Sequence, residues 1–213
     1  MSDINMDPSR ELVMLWVRHG ELNITNRWDS WGNFVLSSEG RQSAEKAGQW
    51  LAYQKVGRII SSDLPRAYQT AEIIMNEVNA ACPFLATDPN LRAWFLGDEF
   101  TGKEKTPERK ARLQYFRANP DVPIPGGESW NQGVDRVKVI FQYACSPYES
   151  LPTVAVIHNS VIKMAMGLDE KGDIVEPGGI IGVYLDPQGE FEFEVLMGAT
   201  KMDSNVIADA SCG

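Results

Sequence analysis

The stretch LVMLWVRHGE, at residues 12–21, is a short apolar run followed at once by charged and polar residues. Six consecutive apolar residues bounded in this way are typical of a strand that is buried on both faces of a parallel sheet. Ligands of such sheets bind in the crevice beyond the carboxyl ends of the strands. The stretch therefore predicts a buried strand that delivers Arg18 and His19 to a candidate site.

Two further short strand candidates, of which the second is apolar, end in the same manner. Residues 56–60 lead into Ser61, Ser62 and Asp63, with Arg66 just beyond, and residues 153–157 lead directly into His158. The chain has only two histidines, and both follow such a run. The ends of parallel strands lie at one edge of a sheet, so this pattern brings two histidines and two arginines together.

Helix signals separate these strands and indicate a mainly parallel α/β sheet. Ser37 and Asp63 are placed to cap helices that run to about Tyr53 and Val78. Residues 107–118 and a segment beginning near Ser129 predict two more helices. Residues 180–185 and 191–196 flank Asp-Pro-Gln-Gly, which predicts an antiparallel hairpin near the end of the chain.

Composition places bounds on the class of protein. The chain has 213 residues, a net charge of −9 and a pI near 4.8. We expect a polar tail at residues 1–10 and one domain over residues 11–213. The acidic balance argues against nucleic acid and anionic membranes as partners, and no apolar run is long enough to span a bilayer. A small anionic substrate is still allowed, because a few arginines can set the potential of one cleft. The oligomeric state cannot be inferred from the sequence.

The number and spacing of the cysteines indicate the redox conditions of the cellular compartment. Cys82, Cys145 and Cys212 lie far apart and form no CxxC motif. This spacing argues against a disulfide framework or a zinc cluster and favours a cytoplasmic location. Neither histidine belongs to an HxH or HExxH motif, so we expect no metal, although a histidine pair could in principle ligate one.

Two arginines and two histidines in one crevice suit a phosphoryl group. Guanidinium groups match phosphate oxygens in a bidentate manner and stay charged at any working pH. One imidazole could attack phosphorus and the other could donate to the phosphoryl oxygens. Ser160 and the N–H groups that follow His158 could add donors. Each residue also has a structural alternative: Arg18 could pair with Glu21, and Arg66 could be a solvated helix residue.

Several motifs, taken in order, resemble those of the histidine phosphatase superfamily, in its phosphoglycerate-mutase-like branch. RHGE at residues 18–21 resembles the RHG motif, and SSDLPRAYQTA at residues 61–71 closely resembles SSxLxRAxQTA. NITNRW at residues 23–28, LSSEGR at 36–41, GGES at 126–129 and VIH at 156–158 resemble further blocks. The resemblance covers about residues 12–196 and implies a three-layer sandwich, with helices on both faces of the sheet.

The resemblance also implies roles for individual residues. His19 would be the nucleophile that takes the phosphoryl group, and His158 would complete the pocket. Arg18 and Arg66 would bind the phosphoryl oxygens. Asn23 and Gly20 in the first loop, and Asn159 and Ser160 after the second histidine, are candidate substrate-binding residues. No cofactor is implied.

The sequence departs from the family pattern at two places. Ala93 occupies the position of the glutamate that usually protonates the leaving oxygen, and alanine cannot donate a proton. Glu128, in the GES block, is our candidate catalytic acid, although it could equally cap the helix near Ser129. Asp98 and Glu99 are weaker candidates. Asn159 and Ser160 replace a common Gly-Gly pair and add both bulk and hydrogen-bonding groups.

The resulting expectation is a phosphoric monoester hydrolase that acts on a small phosphorylated substrate through a phosphohistidine. The alternatives are a phosphoglycerate-mutase-type phosphotransferase and a phosphate-ligand or protein-binding module with little turnover. Residues 98–125 are too short for the extra arginine-bearing insert of the mutases, which favours the phosphatase. The loss of the acid favours the binding module. Four aromatic residues could line a cleft or pack in the core: Trp28, Trp31, Trp94 and Phe95.

Overall fold

The computed structural model of the chain describes residues 9–78, 85–145, 151–168, 173–199 and 206–211. Within these residues the strands form a single mixed sheet in the order β3-β2-β4-β1-β5-β6-β7. The strands are β1 (Glu11–Arg18), β2 (Arg58–Ser61), β3 (Leu85–Thr87), β4 (Thr153–Ile157), β5 (Val175–Leu185), β6 (Glu190–Ala199) and β7 (Val206–Ser211). β1 to β4 are parallel to one another, whereas β5, β6 and β7 pair antiparallel.

Helices connect and cover the strands. They are α1 (Ser38–Leu51), α2 (Pro65–Val78), α3 (Gly97–Phe100), α4 (Pro107–Ala118), α5 (Trp130–Val137), α6 (Val139–Ala144) and α7 (Asn159–Ala165), with a 3₁₀ turn at Pro89–Leu91. None of the helices within the described ranges is long and apolar enough to cross a membrane.

The alternation of side chains along β1 explains the three layers. Leu15 and Val17 point to one face of the sheet, where they join the cluster that includes α1 and α2. Met14 and Trp16 point to the opposite face, where α4 to α7 contribute to the second cluster. Both sets of side chains are fully buried, as expected for a strand with a helical layer on each side. The α/β sandwich with a C-terminal antiparallel hairpin is the predicted fold.

Side-chain caps define several helix starts. Ser37 accepts from the Gly40 N–H at the start of α1, and Ser129 forms a capping box with Gln132 at the start of α5. The prediction that Asp63 caps α2 is wrong. Both of its carboxylate oxygens accept from Arg92 instead, at 2.7 and 2.5 Å. An arginine fork brought close by the fold is a stronger partner for a carboxylate than backbone N–H groups.

Two other expectations from the sequence need correction. Residues 1–8 of the predicted tail lie outside the described residues, but Arg10 pairs with Glu192 and Glu194 of β6 and stacks on Tyr184. Arg10 therefore packs against the sheet. Cys145 is disulfide-bonded, whereas the cysteine spacing argued against a disulfide framework. Separation along a sequence does not determine separation in space.

Candidate active site

The carboxyl ends of β1 and β4 open on one cavity of about 360 Å³, whereas the residues that directly follow β2 do not line it. β1 and β4 are neighbours, with Arg18 opposite Ile157, so the next residue of each strand is a histidine at the same edge. The ring centres of His19 and His158 lie 5.0 Å apart. Both histidines line the cavity, although each is buried.

The hydrogen bonds of His19 define its tautomer. Its Nδ1 lies 2.8 Å from the Gly20 carbonyl oxygen, which can only accept, so Nδ1 carries the proton. The lone pair is therefore on Nε2, where the Nε–H of Arg66 donates to it over 3.3 Å. Burial, together with the positive charge of Arg66, lowers the pKa of His19 to about 3. The imidazole is neutral and nucleophilic at any ordinary pH.

His158 has one ring nitrogen in use and one without a partner. Its Nε2 lies 2.9 Å from the Ser62 hydroxyl oxygen. Its Nδ1 is buried and has no hydrogen-bond partner among the described residues. Burial and the nearby positive charge of Arg66 hold the pKa of His158 well below its usual value. If the Ser62 hydroxyl donates to Nε2, the Nδ1–H is left to donate to a bound anion.

Arg18 lies on the cavity wall, as predicted for a phosphate ligand. Its Nη1 donates to the Val175 carbonyl oxygen over 2.7 Å and lies 2.8 Å from Asp173. The expected alternative partner, Glu21, is not the one it contacts. These two contacts fix one end of the guanidinium group against β5.

Arg66 is placed differently from the prediction. Its side chain is completely buried and is absent from the cavity lining. It donates to the Ser30 carbonyl oxygen over 2.6 Å and to the Gly32 carbonyl oxygen over 3.3 Å. Its Nη2 also lies 3.3 Å from a carboxylate oxygen of Asp29. Arg66 thus contacts the candidate nucleophile but stands behind the loop that carries Asp29.

Asp29 was not singled out by the sequence, yet its carboxylate lies between Arg66 and the cavity. It lines the cavity, and about 35% of its side chain is exposed. Although burial opposes the charged form, the positive charge of Arg66 lowers the pKa of Asp29. Asp29 is therefore the anion that compensates the buried guanidinium.

The predicted substrate-binding residues divide into two groups. Gly20, Asn159 and Ser160 line the cavity, whereas Asn23 is exposed and does not. Asn26, three residues later, lines it instead. The two residues after His158 use their side chains locally: Asn159 binds Asp173 and the Ile174 N–H, and Ser160 accepts from the Trp94 N–H.

Glu128 does not take either of the roles predicted for it. It does not line the cavity, and the N-cap of α5 is Ser129. Its carboxylate accepts from Arg136 at 2.6 and 3.1 Å and from the Phe95 N–H at 2.9 Å. Arg136 in turn donates to the Ala93 carbonyl oxygen. The pair supports the 93–95 segment from behind, so we correct Glu128 from a candidate acid to a structural residue.

The other carboxyl candidates near Ala93 also fail. Asp98 is exposed on α3, and Glu99 pairs with Arg112 of α4. Neither residue lines the cavity, whereas Ala93 does. Of the four aromatic residues in question, Trp28 and Trp94 line the cavity, and Trp31 stacks on Phe95 outside it.

Sequence reasoning also missed the cations of the cavity wall. Lys163 lines the cavity but is only 3% exposed. Lys105 and Arg117 line its outer part, where they lie over the rings of Trp28 and Trp94. Lys163 belongs to α7, and its spacing of four residues from Asn159 and three from Ser160, which also line the cavity, was the available signal. Within the described ranges, no cluster of three or more potential metal ligands is present.

The parallel edge of the sheet thus brings a buried, neutral histidine pair together beside Arg18, an arrangement with the chemistry to suit a phosphoryl group. A family profile described as histidine phosphatase superfamily (branch 1) matches residues 14–174. The chain belongs to that superfamily.

Several proteins of known name are similar. Phosphoglycerate mutase-like protein 4 of Arabidopsis thaliana is 35% identical over 69% of this chain and 66% of its own length. The 2,3-bisphosphoglycerate-dependent phosphoglycerate mutase of Brucella ovis is 32% identical over 76% of this chain and 82% of its own. Among solved structures, that of a mycobacterial glucosyl-3-phosphoglycerate phosphatase aligns with 90% of this chain over 99% of its own length. The TM-score is 0.71 and the sequence identity is 21%. The structure of a phosphoglycerate mutase from Thermus thermophilus aligns with 89% of this chain over 99% of its own length, with a TM-score of 0.61 and 26% sequence identity.

Proposed function

We propose that the protein is a phosphatase that hydrolyses a small phosphomonoester through a phosphohistidine on His19. The observation that carries this proposal is the state of the His19 ring, with its proton on Nδ1 and the lone pair of a neutral imidazole on Nε2. A neutral imidazole nitrogen attacks phosphorus without needing a base.

The first step would proceed as follows. The His19 Nε2 lone pair attacks phosphorus, the N–P bond forms, and the bond from phosphorus to the ester oxygen breaks with its electron pair moving to that oxygen. Arg18 and the Nδ1–H of His158 would stabilise the charge on the phosphoryl oxygens. The Arg66 N–H, which donates to Nε2 in the resting site, must leave this lone pair when phosphorus approaches.

Hydrolysis of p-nitrophenyl phosphate tests the proposal because this ester has a good leaving group and needs little help from an acid. We expect turnover by the wild-type protein and none above background for His19→Ala. Glu128→Gln is a matched control, since it alters a charged residue outside the cavity and we expect it to fold and turn over. Equal rates for the wild type and His19→Ala would contradict the proposal.

Trapping the intermediate separates an enzyme from a binding module. A brief reaction quenched in alkali preserves phosphohistidine, and peptide mass spectrometry should locate it on His19 because the chain has only one other histidine. Phosphate that binds without labelling His19 would favour the binding module instead.

A phosphoglycerate mutase is the second candidate. The similarity to the Brucella ovis mutase favours it, and so do Lys105, Arg117 and Lys163, whose charges suit a substrate with a second anionic group. A mutase must also retain the released intermediate and return the phosphoryl group to it. Incubation with 3-phosphoglycerate distinguishes the two: a phosphatase releases inorganic phosphate, whereas a mutase forms 2-phosphoglycerate without net release.

A further inference from the structure

Hydrolysis of an alkyl phosphate poses a problem that the residues discussed so far do not solve. An alkoxide leaving group is strongly basic, and its departure is slow unless a side chain supplies a proton. His19 and His158 are buried and neutral, and the Nδ1–H of His19 is engaged with Gly20. Protonation of the leaving oxygen therefore requires another group on the cavity wall.

Three carboxyl groups line the cavity among the described residues: Glu21, Asp29 and Asp173. Glu21 is exposed to solvent at the rim. Asp173 is held by Arg18 on one oxygen and by the amide of Asn159 on the other. Asp29 contacts Arg66, which also contacts the nucleophilic nitrogen of His19. Of the three carboxyl groups, Asp29 is thus the one whose partner, Arg66, also donates to the Nε2 atom of His19.

We propose that Asp29 is the proton donor for the leaving group and, in the second step, the base that activates water. The inference rests on the proposed phosphatase function and deepens it by naming a further catalytic residue of the same site. It also explains how the chain can function with Ala93 on the cavity wall.

The two steps balance without a further reactant. In the first, the carboxylic acid of Asp29 gives its proton to the ester oxygen as the bond from phosphorus to that oxygen breaks, which releases an alcohol. In the second, the Asp29 carboxylate takes a proton from water while the water oxygen attacks phosphorus. The N–P bond breaks, its electron pair returns to His19 Nε2, and inorganic phosphate leaves with Asp29 protonated again.

The charges around Asp29 explain how it comes to hold a proton. The charged groups that face it are Arg66 of α2 and Lys105 of the loop before α4, with His19 adjacent. In the resting site Arg66 keeps the carboxyl ionised. A bound phosphoryl dianion brings negative charge beside the carboxylate, which offsets the effect of Arg66 and favours proton uptake by Asp29.

The test compares two substrates that differ in their need for an acid, p-nitrophenyl phosphate and a simple alkyl phosphate such as glycerol 3-phosphate. We expect Asp29→Asn to lower kcat/KM for the alkyl ester by about 10²–10⁴-fold. The rate with p-nitrophenyl phosphate should fall by about tenfold or less, since nitrophenolate leaves without a proton. Glu21→Gln removes the same charge from the same cavity, and we expect it to change both rates by one common factor.

Three results would overturn the inference. An equal fall with both substrates would mean that Asp29 acts only by placing Arg66. A rise with both, together with tighter binding of inorganic phosphate, would make the carboxylate an internal competitor of the substrate. No change would mean that it has no role. By contrast, a wild type without His19-dependent turnover of either ester would refute the proposed function itself.

Proton uptake gives a second readout that a purely structural role would not move. Calorimetric titration of inorganic phosphate, in buffers that differ in ionisation enthalpy, reports how many protons enter on binding. We expect the wild type to take up more protons than Asp29→Asn, with the difference approaching one. Equal uptake would contradict the inference. If Asp29→Asn folds poorly, Asp29→Glu keeps the acid, and we expect it to restore part of the alkyl phosphate rate.

Discussion

His19, the proposed nucleophile, illustrates how the surroundings of a single buried residue keep its ring neutral. The Gly20 carbonyl oxygen holds its proton on Nδ1, and Arg66 places a positive charge beside Nε2. A charge in that position penalises a second proton on the ring, as burial also does. The nucleophile is therefore not lost to protonation near pH 6.5, where an exposed histidine would be.

The titration of the two histidines is directly observable. We expect the His19 ring to stay neutral from pH 8 down to about pH 4, and Arg66→Gln to raise the pKa of His19 because a positive neighbour is replaced while Asp29 stays. Histidine ¹⁵N–¹H correlation spectra can follow both rings without ambiguity, since the chain has only two. A wild-type midpoint near 6.5 would contradict this account.

Glu128 provides a prediction of a different kind, because its ion pair with Arg136 is structural. Each of the two side chains is only about 15% exposed in this pair. We expect Glu128→Gln to lower the free energy of unfolding by about 1–3 kcal/mol, the cost of leaving a largely buried charge without its partner. Urea unfolding measures this effect.

The same variant tests the corrected role of Glu128. We expect the ratio of alkyl to aryl phosphate hydrolysis to stay unchanged in Glu128→Gln. A selective loss with the alkyl ester would restore Glu128 as the acid. Arg136→Met completes a double-mutant cycle that isolates the energy of the pair.

The sequence identified the candidate site only where a residue follows a buried strand directly. His19, Arg18 and His158 come straight after apolar runs, so the topology alone places them. Asp29 and Lys105 belong to loops between elements, and no periodicity reports where such loops fold. Glu128 precedes and Arg136 lies within a single predicted helix, but their contacts with the 93–95 segment depend on the path of the whole chain and could not be anticipated.

At the scale of elements, the contact between the β1–α1 loop and the first turn of α1 constrains the backbone next to His19, the proposed nucleophile. A Cβ at Gly20 would lie 2.2 Å from the Gly40 carbonyl oxygen, and a Cβ at Gly40 would lie 2.1 Å from the Glu21 carbonyl oxygen. Both close contacts are between backbone atoms, so neither the loop at Gly20 nor the helix at Gly40 can accommodate a Cβ unless α1 moves. Gly20 is therefore a packing requirement as well as a cavity-lining residue.

Substitution at this contact should disturb both stability and activity. We expect Gly20→Ala to cost at least about 3 kcal/mol, at the upper end of overpacking effects, because no flexible side chain can absorb the clash. Gly189→Ala is the control: it has open space around it, and only its φ of +84° opposes a side chain, at about 1–2 kcal/mol. Equal losses for the two variants in thermal or urea unfolding would refute the steric explanation.

The elements that could be predicted are those with a local cause. β1 and β4 contain continuous apolar runs, β2 contains the apolar pair Ile59 and Ile60, and Ser37 and Ser129 are recognisable caps. The three-residue β3 and the four-residue α3 are too short to show a period, so tertiary packing decides them. Asp63 was assigned to the wrong partner because the position of Arg92 depends on the path of the whole chain.

At the scale of the whole molecule, net charge and local charge have opposite signs. The chain carries −9, yet the described wall of the cavity is lined by five cations, Arg18, Arg27, Lys105, Arg117 and Lys163, and by three carboxylates. Arg66 adds a buried positive charge behind that wall. An acidic surface around a cationic cleft favours small anions over polyanions, since the surroundings repel any ligand too large to enter.

The buried histidine pair also couples the site to the stability of the whole protein. The unfolded chain binds protons on both histidines below about pH 6.5, whereas the folded pKa of His19 is about 3 and that of His158 is also well below its usual value. Since the unfolded state then holds more protons, the free energy of unfolding falls as pH is lowered, by up to about 2.7 kcal/mol per pH unit for two groups. We expect chemical denaturation between pH 6 and 4.5 to show this slope. In the double variant His19→Gln with His158→Gln, we expect the number of protons taken up on unfolding to fall by about two, and the slope to become correspondingly smaller. Carboxylates contribute equally in both proteins, so an unchanged slope in the double variant would show that the two histidines are not held neutral.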